Sequence, residues 1–373
     1  MLRRILSPLV TVVWHWGFSF HPPRGLIWRD TGHSITKQGF IFIANIFTIC
    51  HSILIEAKPV IDEAFEQALR ELHTIRDILR WGTSQFNEAG LFYGHGTDNA
   101  WDEALALTLH ALHLSHDSGT EILDSRLTHS EKQSILALFR RRIIDRIPVP
   151  YLTQEAWFAG LPFYVDERVI VPRSPIAELI ENGFSPWADS MPVRRVLDLC
   201  TGSGCIAIAC AMAFPDAYVD GVELCNDALA VAQLNVAKYD CDEHVSILQS
   251  DLFDAVRDER YDIIVSNPPY VARTEMDELP HEYQHEPEKA LHASDEGIAI
   301  AIKILQQAGQ HLTDEGFMVV EVGNSQWALQ ERFPEVPFLW LEFERGGEGV
   351  FLMTAQELKQ YHDIFAKEST DAR

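Results

Sequence analysis

The sequence predicts a doubly wound α/β domain with a smaller helical domain ahead of it, and three observations carry that reading. Short apolar runs at 196–199, 217–224, 245–249, 261–266 and 316–322 are separated by helical stretches and end in an antiparallel pair of strands, a pattern that suits a largely parallel sheet covered on both faces. The run Val196-Leu197-Asp198-Leu199 enters the small-residue turn Cys200-Thr201-Gly202-Ser203-Gly204, and residues 206–214 then read as a buried helix. Strand, Gly-rich turn and helix together form a nucleotide-type site, because glycine lets backbone N–H groups approach a ligand at a helix N-terminus. Upstream, residues 60–147 carry apolar stripes at helical spacing.

Residues 1–58 stand apart. They hold six Lys/Arg against Asp30 and Glu56, a net +4; with the whole chain at −25, residues 59–373 carry −29. The apolar run 40–55 is broken by Asn45 and His51 and falls short of the roughly 20 residues a membrane span needs. No small-residue cleavage site follows Arg3-Arg4 and the apolar stretch after them. The segment is expected to lie outside the folded unit, with translation assigned upstream of the working start, and to have no membrane role.

Next, Ile61, Phe65, Ala68/Leu69, Leu72, Ile75 and Ile78/Leu79 predict one helix over 60–80. A loop with Gly90, Gly94 and Gly96 covers 86–99, and helical spacing resumes over 100–114 through Trp101, Leu105, Leu109 and Leu112. Thr128-x-x-Glu131 is a capping box opening a third helix that ends before Pro148. Arg140-Arg141-Arg142 on that helix reads as a solvated face rather than an RNA contact. His95, His110 and His113 lack partners at metal-ligand spacing and read as ordinary polar residues, so no metal is expected.

Residues 148–175 connect the two parts. Ala156-Trp157-Phe158, a Gly160-Leu161-Pro162 turn and Phe163-Tyr164-Val165 predict a hairpin, after which Val169 to Arg173 lead into a helix at Pro175. Beyond the Gly-rich turn the second strand ends in Glu223, 19 residues past Gly204, the distance at which an acid commonly takes ribose hydroxyls. Cys200 stands where the usual dinucleotide fingerprint has its first glycine. The third strand leads into Ser250-Asp251-Leu252-Phe253.

The fourth strand, 261–266, runs into Asn267-Pro268-Pro269-Tyr270. Pro268 biases Asn267 to an extended backbone, and two successive prolines remove two donors. A stiff set of acceptors remains, the Asn267 side-chain oxygen among them. Such a set suits a planar NH2 group, which offers two donors and has its lone pair tied up in resonance; Tyr270 can lie against its flat face. The irregular stretch 271–294 reads as a lid over that acceptor. A helix over 295–312, a strand over 316–322 and a hairpin of 338–343 with 350–353 close the domain.

Composition adds outer bounds. Hydrophobic content of 47% is ordinary for a soluble protein. Six scattered cysteines without a C-x-x-C pair fit a reducing cytoplasm rather than a disulfide or zinc framework. An acidic body repels phosphate backbones and suits a basic partner, although acidity also serves solubility.

Asp198-x-Cys-Thr-Gly-Ser-Gly204, Glu223, Ser250-Asp-Leu252 and Asn267-Pro-Pro-Tyr270, in that order, resemble the class I S-adenosylmethionine (SAM) methyltransferases that modify glutamine side chains in proteins. The similarity runs from about residue 61 to about residue 358. It is greater to the branch acting on large-subunit ribosomal protein L-three than to the branch acting on peptide-chain release factors. Tyr93-Gly-His-Gly-Thr-Asp98, Val171-Pro-Arg-Ser-Pro175, Trp340-Leu-Glu-Phe343 and Gly346-Gly-Glu-Gly349 carry that preference. Glu223, where relatives often have Asp, and the long N-terminal extension depart from the pattern.

The resemblance implies SAM as cofactor and methyl transfer to a glutamine amide at Asn267, Pro268, Pro269 and Tyr270. Asp198 and the turn Cys200, Thr201, Gly202, Ser203 and Gly204 would hold the methionine end of SAM, Glu223 its ribose, and Asp251 and Leu252 its adenine. Asn267 would also border the cofactor, with Arg173 a neighbour of that pocket. It implies a substrate-recognition domain over 59–147, a connector over 148–175, a methyltransferase domain over 176–358 and a tail over 359–373. The expected partner is ribosomal protein L-three in the cytoplasm, with no DNA and no membrane. Alternatives are methylation of release factors, methylation of adenine N6 in DNA, and a SAM-binding assembly factor without turnover.

Overall fold

Two capping boxes shape the helical segment. The Thr74 hydroxyl accepts from the Asp77 N–H at 3.1 Å, and the Asp77 carboxylate accepts from the Thr74 N–H at 2.9 Å. A helix that runs to residue 71 therefore stops, and a new one, Ile75–Ala89, begins where a single helix over 60–80 is expected. Gly90, at φ 60°, ends it in the left-handed region that glycine occupies without strain. Thr128 and Glu131 form the second box, as expected, and open the helix His129–Ile144. Between them Asn99 caps Ala100–Leu112. The computed structural model describes residues 62–368; the extension over 1–58 and the end of the tail, 369–373, lie outside the described residues. The chain divides into two units between Ala64 and Phe65, and the second, from Phe65 onward, holds the capped helices, the connector and the sheet.

Arg142 corrects the reading of the arginine run. Its side chain is fully buried, whereas Arg141 is exposed. The Arg142 guanidinium donates to Glu103 at 2.7 and 3.2 Å, to Glu282 at 3.1 Å and to the Phe92 carbonyl at 2.8 Å. Glu282 also accepts from the Phe92 N–H at 3.0 Å. A buried charge persists only when paired and hydrogen-bonded. Two carboxylates from different parts of the chain supply that here, so Arg142 ties the helices to the segment after Tyr270. That segment is better ordered than an irregular lid: it contains the helical turns Arg273–Met276, His281–His285 and Glu288–Leu291, and Val271 bridges His292.

The connector forms the expected hairpin. Strands β1 (Glu155–Phe158) and β2 (Leu161–Tyr164) pair antiparallel. The turn is Ala159-Gly160, at φ 48° and 72°, one residue ahead of the turn read from Gly160-Leu161-Pro162. The main sheet contains β3 (Arg195–Leu199), β4 (Tyr218–Glu223), β5 (Val245–Gln249), β6 (Tyr261–Ser266), β7 (Leu312–Glu321), β8 (Leu339–Trp340) and β9 (Val350–Thr354). Its order is β5-β4-β3-β6-β7-β9-β8, parallel from β5 to β7 and antiparallel beyond.

Both faces of the sheet are buried. Val196, Ile263, Val265, Phe317 and Val319 point to one layer, under the helices Ile176–Glu181 and Cys205–Ala213. Leu197, Leu199, Ile264, Met318 and Val320 point to the other, under Ala299–His311 and Ala355–Phe365. The central strands therefore read as continuous apolar runs rather than as alternation. The order reverses between β3 and β6, and open α/β sheets bind ligands at the carboxyl ends of strands on either side of such a switch.

Arg142→Ala would leave the Glu103 carboxylate buried without a guanidinium and Glu282 with only Arg146, at 3.5 Å. Breaking a buried pair in this way costs about 3–5 kcal/mol, so urea unfolding should show a midpoint shifted to markedly lower denaturant. An unchanged midpoint would return Arg142 to a solvated face.

Candidate active site

The turn after β3 is built around Asp198. Its side chain is completely buried; one carboxylate oxygen accepts from the Thr201 hydroxyl at 2.5 Å and the Ala207 N–H at 3.1 Å. The other oxygen has no hydrogen-bond partner among the described residues. Burial pushes the Asp198 carboxyl up to about 7, against the pull of the Thr201 and Ala207 bonds. Cys200 and Gly202 take φ of 60° and 57°, folding the backbone back over Asp198. At Gly204 a Cβ would meet Ala232 at 3.3 Å, so glycine lets this turn close against the helix Asn226–Tyr239.

Glu223, at the end of β4, faces the same turn. Its two carboxylate oxygens accept from the Gly202 N–H at 3.0 Å and the Cys225 N–H at 2.8 Å. Ser250 follows β5 and donates its N–H to the Glu223 carbonyl at 3.0 Å. Asp251 is exposed beside it, while Leu252 turns its side chain into the core. Of the pair assigned to adenine, Asp251 is thus the one with a side chain in solvent. Thr201 and Ser203 are buried, and Cys200 is partly so.

Strand pairing brings the second motif to this turn. In the parallel register Asp198 lies beside Val265 and Leu199 beside Ser266, and the Ser266 hydroxyl donates to the Leu199 carbonyl at 2.8 Å. Asn267, the next residue, therefore leaves the sheet alongside Cys200. It is half-buried, with no side-chain hydrogen bond among the described residues. Pro268 is buried and Pro269 half-buried.

Tyr270 is held at several points. Its hydroxyl donates to Glu321 at 2.8 Å, and its carbonyl accepts from the Ser325 hydroxyl at 2.7 Å. Its ring lies so close to Gly323 that a Cβ there would come within 2.6 Å. Burial and the neighbouring Glu321 push the phenol well above its ordinary value.

Arg173 and Glu286 close the far side. The Arg173 guanidinium binds both Glu286 oxygens, at 2.5 and 2.7 Å, and stacks over the Tyr283 ring at 5.2 Å. Glu286 also accepts from the Val171 N–H at 3.0 Å. Arg173, expected as a neighbour of the cofactor pocket, spends its fork on a buried carboxylate. His95 is not an ordinary polar residue: it is 2% exposed, packs on Tyr283 at 4.6 Å and lies 3.7 Å from Glu286. Burial lowers its pKa to about 4 despite that carboxylate, so it is neutral at pH 7.

Three supporting residues escape the sequence reading. Asn235 is fully buried in the helix Asn226–Tyr239; it donates to the Ser203 and Tyr164 carbonyls at 2.8 and 3.0 Å and accepts from the Tyr164 N–H at 2.8 Å. It joins the connector hairpin to the Gly-rich turn. Its signal was a lone amide on the face of Ala228, Val231 and Ala232. Glu321 escapes because it meets Tyr270 only in space, and the role of Ser174 escapes because its partner is Glu321, 147 residues on.

An uncompensated carboxylate oxygen, a backbone turn opened by positive-φ residues and an acid at the next strand end together suit a cationic, ribose-bearing ligand such as SAM. Comparison with curated relatives agrees. Residues 187–296 match the methyltransferase small domain. A ribosomal protein uL3 glutamine methyltransferase of Xanthomonas campestris is 54% identical over 78% of this chain and 94% of its own length. One of the same name from Francisella tularensis is 48% identical over 81% of this chain and 96% of its own. Among solved structures, the hMettl16 catalytic domain aligns at TM-score 0.43 and 17% identity, over 60% of this chain and 81% of that one. By its curated relatives, this chain belongs to the SAM-dependent protein-glutamine methyltransferases.

Proposed function

We propose that the protein transfers a methyl group from SAM to the side-chain amide nitrogen of a glutamine in ribosomal protein uL3, with Asn267-Pro268-Pro269-Tyr270 as the acceptor site. The β3–β6 register is the observation that carries this reading. It sets Asn267, with its free side-chain oxygen, beside the turn that suits the donor. The relatives' names supply the substrate. The net charge of −29 over residues 59–373 suits a basic ribosomal protein and disfavours DNA. A ribosomal protein as substrate suits a cytoplasmic enzyme; among the described residues no helix is long and apolar enough to cross a membrane.

SAM, when bound, supplies an electrophilic methyl group on a cationic sulfur. Asp198 and the Cys200–Gly204 turn would hold its methionine end, Glu223 its ribose, and Asp251 with the Leu252 backbone its adenine. An amide nitrogen is a poor nucleophile because its lone pair is delocalised into the carbonyl. The Asn267 oxygen and the Pro268 carbonyl take its two N–H bonds, orient the lone pair, and stabilise positive charge as it develops. The proton then leaves a nitrogen that has become cationic, so a strong base is not required. In this scheme residues 59–147 recognise the substrate, 148–175 connect, 176–358 carry the chemistry, and residues 1–58 lie outside the working unit.

Asn267→Ala removes the aligning acceptor and leaves the donor turn in place. Single-turnover transfer to uL3 should fall by about a hundredfold or more, while SAM affinity by calorimetry changes little. Transfer at the wild-type rate would reduce the motif to a strand-ending turn. Glu223→Ala also frees the Gly202 N–H. SAM should bind roughly ten- to a hundredfold more weakly, and unchanged affinity would remove Glu223 from the ribose site.

The raised Asp198 pKa gives a pH test. With a folded value of about 7 against an ordinary 3.8, this group favours folding at acid pH, and that contribution is lost as pH rises towards 7. A cationic ligand has the opposite preference and binds best once the proton has left. SAM affinity should therefore rise roughly tenfold per pH unit up to about 7 and then level off. Asp198→Asn should flatten that slope. A wild-type affinity independent of pH would show that the ligand does not meet this carboxylate.

A further inference from the structure

Glu321 ends β7 with its side chain almost wholly buried, beside the acceptor motif yet outside it in sequence. No guanidinium or ammonium bonds to it among the described residues. Its two oxygens instead accept two neutral hydroxyls, from Tyr270 at 2.8 Å and from Ser174 at 2.5 Å. Burial raises its pKa, opposed by those two bonds. A carboxylate buried with only hydroxyl partners is costly to keep, and a pair of apolar residues would fill the same space without that cost.

What the carboxylate supplies is direction. Ser174 lies in the Val-Pro-Arg-Ser-Pro segment that leads from the connector, and Tyr270 closes the acceptor motif. With its carbonyl held by Ser325 and its ring against Gly323, Tyr270 retains one adjustable point, its hydroxyl. Glu321 takes that hydroxyl, so the phenol donor is already committed. We propose that Glu321 is a positioning residue for methyl transfer: it sets the plane of Tyr270 against the acceptor amide and acts through the Tyr270 hydroxyl.

The inference rests on the acceptor reading of Asn267 to Tyr270, and a double-mutant cycle on full-length protein separates the two. Glu321→Gln and Tyr270→Phe should each slow single-turnover transfer to uL3 by roughly tenfold or more, with SAM affinity within about twofold. The double variant should be no slower than the slower single one, because both remove the same bond. Multiplied losses, or a wild-type rate in Glu321→Gln, would overturn the proposal.

Ser174→Ala supplies the second comparison, since it removes the other donor and leaves the Tyr270 bond. It should stay within about threefold of wild type; a loss equal to that of Tyr270→Phe would make Glu321 a fold support only. Labelling with 3-fluorotyrosine gives a readout free of activity. The Tyr270 fluorine resonance, assigned by its loss in Tyr270→Phe, should move in Glu321→Gln and stay in place in Ser174→Ala. If wild-type protein leaves uL3 unmodified, the functional reading fails while this spectrum still decides the clasp, and an unmoved resonance in Glu321→Gln overturns it.

Discussion

The parallel pairing of β3 with β6 is the constraint on which the rest of this structure depends. A parallel ladder has one register, set by which residues face each apolar layer, and a slip of one residue would turn every side chain to the wrong face. Here that register aligns Leu199 with Ser266, so the two strands end at one level and release Asp198's turn and Asn267 side by side. The Ser266 hydroxyl on the Leu199 carbonyl locks the level at the strand ends themselves. Two motifs 63 residues apart, counting from Gly204 to Asn267, become one site without either reaching for the other.

The supports arrive from the outside inward. Asn235 pins the connector hairpin to the back of the Gly-rich turn. Arg142 and Arg173 pin the segment after Tyr270, through Glu282 and Glu286. Neither tie touches Asn267, yet both fix the segment that follows it. Pre-organisation of this kind is what a reaction with a poor nucleophile requires, since orientation replaces the missing basicity.

Much of the sheet domain was legible because its signals are local. The Gly-rich turn, the two prolines after Asn267 and the period of the apolar runs each lie within a dozen residues, and the structure carries them where the sequence places them. The elements misread or passed over depend on partners far along the chain or on a residue weighed too lightly. Thr74 and Asp77 form a capping box inside an apolar stripe that itself continues, so the stripe concealed the break. Arg142 sits in a run of three arginines whose composition says solvent; only Glu103 and Glu282, 39 and 140 residues away, make it a core residue. The helix Asn226–Tyr239 has buried residues on one face but alanines on others, and its stripe is faint. Glu321 has no local mark at all, and the motifs that contain Ser174 and His95 do not show which residues those side chains meet.

The buried and half-buried carboxylates divide in a way that bears on the chemistry. Glu103, Glu282 and Glu286 are each met by a guanidinium, and each joins separate parts of the chain. Asp198, Glu223 and Glu321 are met by hydroxyl or backbone N–H groups alone, and they surround the strand ends. The first set is neutralised and structural. The second has no cation to cancel its charge once the carboxyls are deprotonated, although burial raises the Asp198 and Glu321 pKa values. Methyl transfer to an amide begins with a cationic sulfur and passes positive charge to nitrogen, so negative potential at these strand ends is useful from start to finish. A chain with a net charge of −29 over residues 59–373 needs no special residues to create that potential; it needs only to leave its guanidinium groups elsewhere. Arg142 is committed to Glu103 and Glu282 and Arg173 to Glu286, and that placement is as much a part of the proposed site as Asn267 itself.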